Sequence, residues 1–293
     1  MAYGKSIELF LVNGSADSLI TAELSNWNGK AIKIPRIEVA SCGREDIKQA
    51  GVYFLFCKED DESDSVYIGE AENVKERLCQ HLRDYQTEKE EYYWNCAVIF
   101  IGRDLNKALI RYLENRLVEI ARECRRCTVL TKNTYKNTVM KESQISTMEE
   151  FIDNVKILIN TLGYKILEPI LQSDANSMID DELLSLTTSS IKAKGKITTE
   201  GFVLLKGAKL NEKTSFKSLS PGVIKLRERY FLDGRVKDLM TAEDILFSSS
   251  SAAADFVLGY SVSGPQMWKA ADGRSLKEIE IESENAEQRI ERK

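Results

Sequence analysis

Two tyrosines, Tyr53 and Tyr67, sit in short β-prone runs, GVYFLFC and SVYIGEA, on either side of an acidic turn. Ten residues beyond Tyr67 comes Arg77 on a predicted helix, Asn73–Tyr85, with His81 one turn further along. A second predicted helix, Leu105–Cys124, carries Glu114. These residue types can act together on a phosphodiester. A guanidinium matches two phosphate oxygens at once and stays charged at any working pH, which suits a transition state rich in negative charge. Histidine donates or accepts a proton near neutral pH. A phenol, with an ordinary pKa of about 10, is a poor base unless a nearby cation or metal-bound hydroxide lowers the cost.

Each residue also has a plainer reading. Mid-strand tyrosines are good strand formers whatever their hydroxyls do. Arg77 and His81 flank the apolar stripe Val74, Leu78, Leu82 and Tyr85, at the edge of the buried face, where His81 can bond Asp84 or pack on Tyr85. Glu114 stands out more. Its helical neighbours at three and four residues are Ile110, Arg111, Leu117 and Val118, whereas Glu119 is surrounded by Asn115, Arg116, Arg122 and Glu123. A carboxylate on an inward face is costly unless a cation or strong donors satisfy it. Arg111, Arg77 or a metal ion can each fill that role.

The strings GVY at Gly51–Tyr53 and YIG at Tyr67–Gly69, followed in order by Arg77, His81 and Glu114, resemble the GIY-YIG endonuclease family. The resemblance implies a small three-stranded sheet flanked by helices over 51–145, an α/β (α+β) fold. It further implies cleavage of DNA phosphodiesters with one divalent ion, Mg2+ or Mn2+, held by Glu114. By position, Tyr53 would be the general base, Tyr67 would position it or the phosphate, and Arg77 and His81 would complete the catalytic set. Gly51 and Gly69 would permit close backbone approach in the sheet. Two features depart from the pattern. The loop KEDDESDS between the tyrosines is strongly acidic, and the family's asparagine after the metal glutamate can be Asn133 or Asn137, with Thr131 taking that place after a small shift.

The charge is unevenly spread. The chain carries a net −5, but from Arg103 to Lys141 there are ten Lys and Arg against four Asp and Glu. That local excess is compatible with a phosphate-facing surface and equally with a solvated helix making ordinary ion pairs. Arg111, Arg116, Lys132 and Asn133 are its candidate substrate contacts. Six scattered cysteines read as reduced thiols of a cytoplasmic protein. Cys124 and Cys127 form one CxxC, yet a zinc site needs about four ligands, and the chain offers a single histidine and no second CxxC. No apolar run approaches the ~20 residues that span a bilayer, and MAYGKSIELFLVNG reads as a strand rather than a signal peptide.

These residues need elements to hold them. With 293 residues and 43% hydrophobic content, the chain predicts two modest domains. Residues 1–50 read as a strand-rich extension, 51–145 as the sheet-and-helix domain, and 146–195 as a helix (147–162) and a polar linker from 171. Residues 196–285 read as a small α+β domain. In that last part GFVLLKG predicts a strand, and PGVIKLRERYFLDG and SSSSAAADFVLG predict capped helices. MWKAADGRSLKEIEI predicts a hairpin turning at Asp272-Gly273. The stretch SSSSAAADFVLGYSVSGPQMWKAADGRSL resembles a small domain of unknown function that recurs at the C-terminus of GIY-YIG proteins.

Overall fold

The structure is a computed structural model that describes residues 4–58, 64–134, 139–170 and 183–282. Most of the acidic loop, Asn137 and residues 171–182 of the linker lie outside the described residues. The chain divides into two compact units, Met1–Pro169 and Ile170–Lys293. Both mix helices with sheets, in agreement with the expected α+β class. Among the described residues, no helix is long and apolar enough to cross a membrane.

In the first unit, β1 (Ile7–Leu11), β2 (Ile20–Leu24) and β3 (Gly29–Pro35) precede a short helix α1 (Arg36–Val39). Then come β4 (Gly51–Lys58), β5 (Asp64–Ala71), α2 (Val74–Gln86) and β6 (Trp94–Gly102). The unit ends with α3 (Lys107–Cys124), β7 (Thr128–Val129) and α4 (Glu142–Thr161). The sheet has seven strands in the order β1-β2-β3-β6-β4-β5-β7. The expected three strands, β6-β4-β5, are its centre. The first 50 residues do not merely pack on them, because β3 pairs with β6 from Gly29↔Gly102 to Pro35↔Cys96 and widens the sheet. The reason lies in β6: Ala97 to Ile101 are buried on both faces, so a partner on each edge must satisfy the backbone.

Alternation along the strands splits the core in two. Val52, Phe54, Val66 and Ile68 face α3 and α4, which contribute Ile110, Leu113, Leu117, Ile152 and Val155. Tyr53, Leu55 and Ile99 face the other way, toward Val74 and Leu78 of α2. The helix starts follow from capping. Asn73 accepts a hydrogen bond from the Glu76 N–H at 3.2 Å, and Asn106 accepts from Ala108 and Leu109 at 3.0 and 3.2 Å.

In the second unit, β8 (Leu184–Thr187), β9 (Lys192–Thr198) and β10 (Gly201–Leu204) are followed by α5 (Pro221–Leu232). A two-stranded ribbon, β11 (Val236–Lys237) with β12 (Met240–Thr241), leads to β13 (Ile245–Phe247), α6 (Ser250–Leu258) and α7 (Gly264–Met267). The antiparallel sheet runs β13-β10-β9-β8. Two details differ from the sequence reading. Residues 184–187, read there as linker, form β8, and their Leu184 and Leu186 are buried in the core. The second arm of the predicted hairpin is instead helical over 276–282. Ser275 caps it, with the Glu278 carboxylate accepting from the Ser275 N–H at 2.7 Å and the Ser275 hydroxyl accepting from the Glu278 N–H at 3.3 Å.

A fragment starting at residue 183 and continuing to 293 should therefore unfold cooperatively on heating. One starting at residue 196 loses β8, the first four residues of β9 and the buried Leu184, Leu186, Ile191 and Ala193, with each leucine worth about 2–5 kcal/mol, and should show no cooperative transition. Calorimetry of the two fragments side by side checks this.

Candidate active site

The antiparallel register sets Tyr53 of β4 opposite Gly69 of β5, and Leu55 opposite Tyr67. The two phenols thus share one face, with ring centroids 6.2 Å apart. Gly69 makes this possible. A Cβ there would lie 2.5 Å from the Tyr53 hydroxyl and 2.8 Å from the Tyr67 ring, so the Tyr53 side chain lies directly over a backbone position that tolerates no side chain.

Helix α2 brings Arg77 and His81 to the same phenol, because residues four apart share a helix face. The Arg77 Nε–H donates to the Tyr53 Oη at 3.3 Å, and its Nη1 donates to Gln80 at 2.7 Å. The same guanidinium hydrogen-bonds the Tyr67 hydroxyl. The Tyr53 Oη lies 2.9 Å from His81 Nε2, and His81 Nδ1 is hydrogen-bonded to the Glu90 carboxylate. His81 is therefore not the edge residue expected from sequence. It is 1% exposed, walled in by Tyr53 and Tyr67 and tied by Glu90, not by Asp84.

A carboxylate can only accept, so Nδ1 carries the hydrogen toward Glu90, and in the tautomer with Nε2 bare that nitrogen accepts from the Tyr53 hydroxyl. Burial, with Tyr67 adding to it and Arg77 opposing, pushes the Tyr53 pKa well above its ordinary value. Burial raises Tyr67 too. For Arg77, burial would lower the pKa, but Tyr53 and Tyr67 outweigh it and raise it. Arg77 is a permanent cation beside two neutral phenols.

The other wall comes from the opposite face of the sheet. Strand β7 pairs only with Ser65 and Val66, so β5 is left open beyond that point. There Glu114 of α3 reaches the strand and accepts a hydrogen bond from the Glu70 N–H. Glu114 is 7% exposed, and among the described residues no cation stands at ion-pair distance from it. Burial and the neighbouring Glu70 carboxylate raise its pKa to about 7, against the pull of Lys107 and Arg111. Glu70 is a second buried carboxylate, paired with Lys107 at 2.9 Å and with Arg111 at 3.9 Å. Tyr53, Tyr67, Arg77, Glu70, Glu114 and Asn133 all line one cleft of about 460 Å³.

Of the candidates for the asparagine position, Asn133 lines this cleft. Thr131 is 2% exposed, and its hydroxyl accepts from the Ile68 N–H at 2.9 Å and donates to the Ile68 carbonyl at 2.7 Å. It seals the strand edge. Of the proposed substrate contacts, Arg111 stands beside the cleft at Glu70. Arg116 does not, because it pairs with Glu149 of α4 at 2.9 Å and with Glu119. Lys132 is exposed between Thr131 and Asn133 and is not part of the cleft wall. Sequence reasoning missed Glu70 and Glu90. Glu70 was detectable, since it follows Val66 and Ile68 on the buried side of β5. Glu90, in the loop after α2, follows no periodicity.

Residues 184–280 match a family described as a domain of unknown function (DUF4357). The second unit is thus similar to the kind of domain its sequence resembled, and the match begins at β8. It does not reach the cleft, and no match to the GIY-YIG family is found. Neither a curated protein nor a solved structure matches the chain.

The donor set fits a hard divalent ion. Glu114, Glu70 and Asn133 offer oxygens, and Mg2+ binds through one or two carboxylates while keeping several waters. Among the described residues, no cluster of three or more His, Cys, Asp and Glu side chains forms an all-protein cage. Burial and the Glu70 carboxylate outweigh Lys107 and Arg111 at Glu114, so added positive charge there would be favourable.

The raised Glu114 pKa has a consequence for stability. The contribution is fully present below the unfolded carboxyl pKa and is lost as pH rises through about 7. In EDTA, Glu114→Gln should match wild type in thermal midpoint near pH 5 and exceed it at pH 8. Scanning both proteins across that range checks it, and equal midpoints at pH 8 would deny the carboxylate its strain.

Proposed function

We propose that this cleft hydrolyses DNA phosphodiester bonds as the active site of a divalent-metal-dependent endonuclease. The observation that carries the reading is convergence. A phenol bonded to both an arginine and a histidine stands in one cleft with a buried carboxylate, the four side chains coming from three separate elements, β4, α2 and α3. A packed core has no need of that combination.

The protein's residues divide the work as follows. Tyr53 is too strongly held neutral to store a phenolate at working pH. It acts as a relay instead, taking a proton from the attacking water as it passes its own to His81 Nε2. The Glu90 carboxylate holds the imidazole in the accepting tautomer and balances the imidazolium that results, as a carboxylate does in other His-based relays. Arg77 anchors the phenol through Nε and turns its charge toward the phosphate. Tyr67 fixes the guanidinium from the other side. Glu114, with Glu70 and Asn133 beside it, would hold the cation, which when bound supplies positive charge at the leaving oxygen. Without the cation, a phosphate would meet Glu70, Glu72, Glu76 and Glu114 as well as Arg77 and Lys107, all in the cleft wall. A bound cation would tip that balance toward substrate entry.

Tyr53→Phe keeps the ring and packing and removes only the relay hydroxyl. It should lower single-turnover cleavage of a plasmid by on the order of 10²–10⁴-fold, with little change in DNA affinity measured in Ca2+. Wild-type cleavage by this variant would leave the tyrosine a strand residue and point to a module that binds without turnover.

Arg77→Lys keeps a charge but loses the planar fork that reaches phenol and phosphate together. It should lose nearly as much activity as Arg77→Ala. Near-full activity in the lysine variant would reduce Arg77 to a general electrostatic role.

A further inference from the structure

The outer face of the second unit's sheet has no part in the chemistry above. Alternation sends Leu184, Leu186, Ala193, Phe202 and Leu204 to the core and, on β8 and β9, turns the intervening residues outward, whereas Val203 of β10 is buried. On β9 these are Lys192, Lys194 and Lys196, and on β8 they are Ser185 and Thr187. Register places Ser185 opposite Lys194 and Thr187 opposite Lys192. Lys269 extends the row, since it exchanges backbone hydrogen bonds with Ser185 at 2.7 and 2.9 Å. Lys209 joins at the other end, its N–H donating to the Lys192 carbonyl at 2.9 Å. Its neighbours Ala208 and Leu210 are buried, so its own side chain faces out.

Lys192, Lys194, Lys209 and Lys269 are all exposed. Strands β8, β9 and β10 carry no Asp or Glu. The carboxylate acting on Lys269 is Glu278, which is engaged in capping Ser275. The charge is regional: residues 183–282 hold fifteen Lys and Arg against twelve Asp and Glu, in a chain of net −5. Lysines two apart on a strand are spaced about 6.7 Å, and neighbouring strands about 4.8 Å. The four ammonium groups therefore form a grid with hydroxyls set between them.

We infer that this face binds the phosphate backbone of duplex DNA, independently of sequence. Lysines are strongly hydrated point charges suited to phosphate neutralisation and carry no base code. The outward positions of these strands hold no aromatic ring on which the bases of a single strand could stack. They also offer no apolar wedge for a lipid surface. That the nucleic acid is DNA rests on the function proposed for the cleft. The binding itself follows from the lysine grid alone.

The test uses the full chain in EDTA, where no cleavage occurs, with a labelled mixed-sequence duplex titrated at several salt concentrations. Combined Lys192→Ala, Lys194→Ala, Lys209→Ala and Lys269→Ala should weaken binding at least about tenfold at low salt. It should also flatten the salt slope by about 0.9 per lost phosphate contact. The matching four Lys→Arg changes should retain both, which separates lost charge from lost fold. Lys213→Ala, Lys217→Ala and Lys225→Ala remove exposed charges elsewhere on this unit and should have much less effect. Equal losses from the two alanine sets, an unchanged slope, or binding only to single strands or phosphatidylserine vesicles would each overturn the inference. Cleavage separates the two readings. If the grid variant loses affinity while wild type with Mg2+ cleaves nothing, the cleft assignment fails and the lysine face stands.

Discussion

The phenol of Tyr53 lies over the backbone of Gly69, at a distance where even a methyl group would collide with its hydroxyl. The β4–β5 register that creates this contact also decides where a chain of hydrogen-bonded polar groups runs. Held there, the hydroxyl meets both Arg77 and His81, which α2 delivers one turn apart because Asn73 fixes where the helix begins. The result is a run of polar groups, Glu90, His81, Tyr53, Arg77 and Gln80, each bonded to the next within an otherwise apolar half of the core. Such a chain is tolerable in a low-dielectric setting only when its members are paired with one another. A slip of one residue between β4 and β5 would turn Tyr53 to the α3 side and break it at its centre.

The cleft draws on both faces of one sheet, which a fully paired β5 would forbid. Because β7 stops at Val66, and Thr131 substitutes a single hydroxyl for the next strand partner, the edge stays open beyond Ile68. Glu114 can then approach the Glu70 N–H from the α3 side while the phenols stand on the α2 side. Tyr67 registers the proximity, since Glu114 contributes to raising its pKa. The short edge strand is thus a condition for the site.

Much of this was legible because it depends on local periodicity. Tyr53 and Tyr67 lie in runs of clear strand character, Arg77 and His81 share a helix face, and Glu114 interrupts an apolar stripe. Where the sequence misled, direction or distance was the cause. Arg116 looked like a phosphate contact on charge alone, but it lies two residues, about 200°, around α3 from Glu114, and it faces α4 instead. Counting charges cannot see that angle. The width of the sheet depends on β3 finding β6 across more than sixty residues, a pairing no local pattern encodes. Glu90 escaped because it lies in a loop, and the final helix because its Ser275–Glu278 cap was read as part of a strand.

Electrostatics then assigns different work to the two units. The cleft wall sets Glu70, Glu72, Glu76 and Glu114 against Arg77 and Lys107, an excess of carboxylates. Under the proposed function it would favour a cation over a polyanion. The burial that raises the Glu114 pKa also makes its affinity for a divalent ion depend on pH, because a proton must leave before the ion enters. Affinity for the duplex has to come from cations outside the cleft. The helix α3 arginines supply little of it, with Arg116 spent on Glu149 and Glu119 and Arg111 set beside Glu70. The exposed lysines of β9 and its neighbours are under no such obligation. Under the two readings proposed above, a chain of net negative charge would hold DNA through one unit and leave the other acidic enough to take up a metal ion.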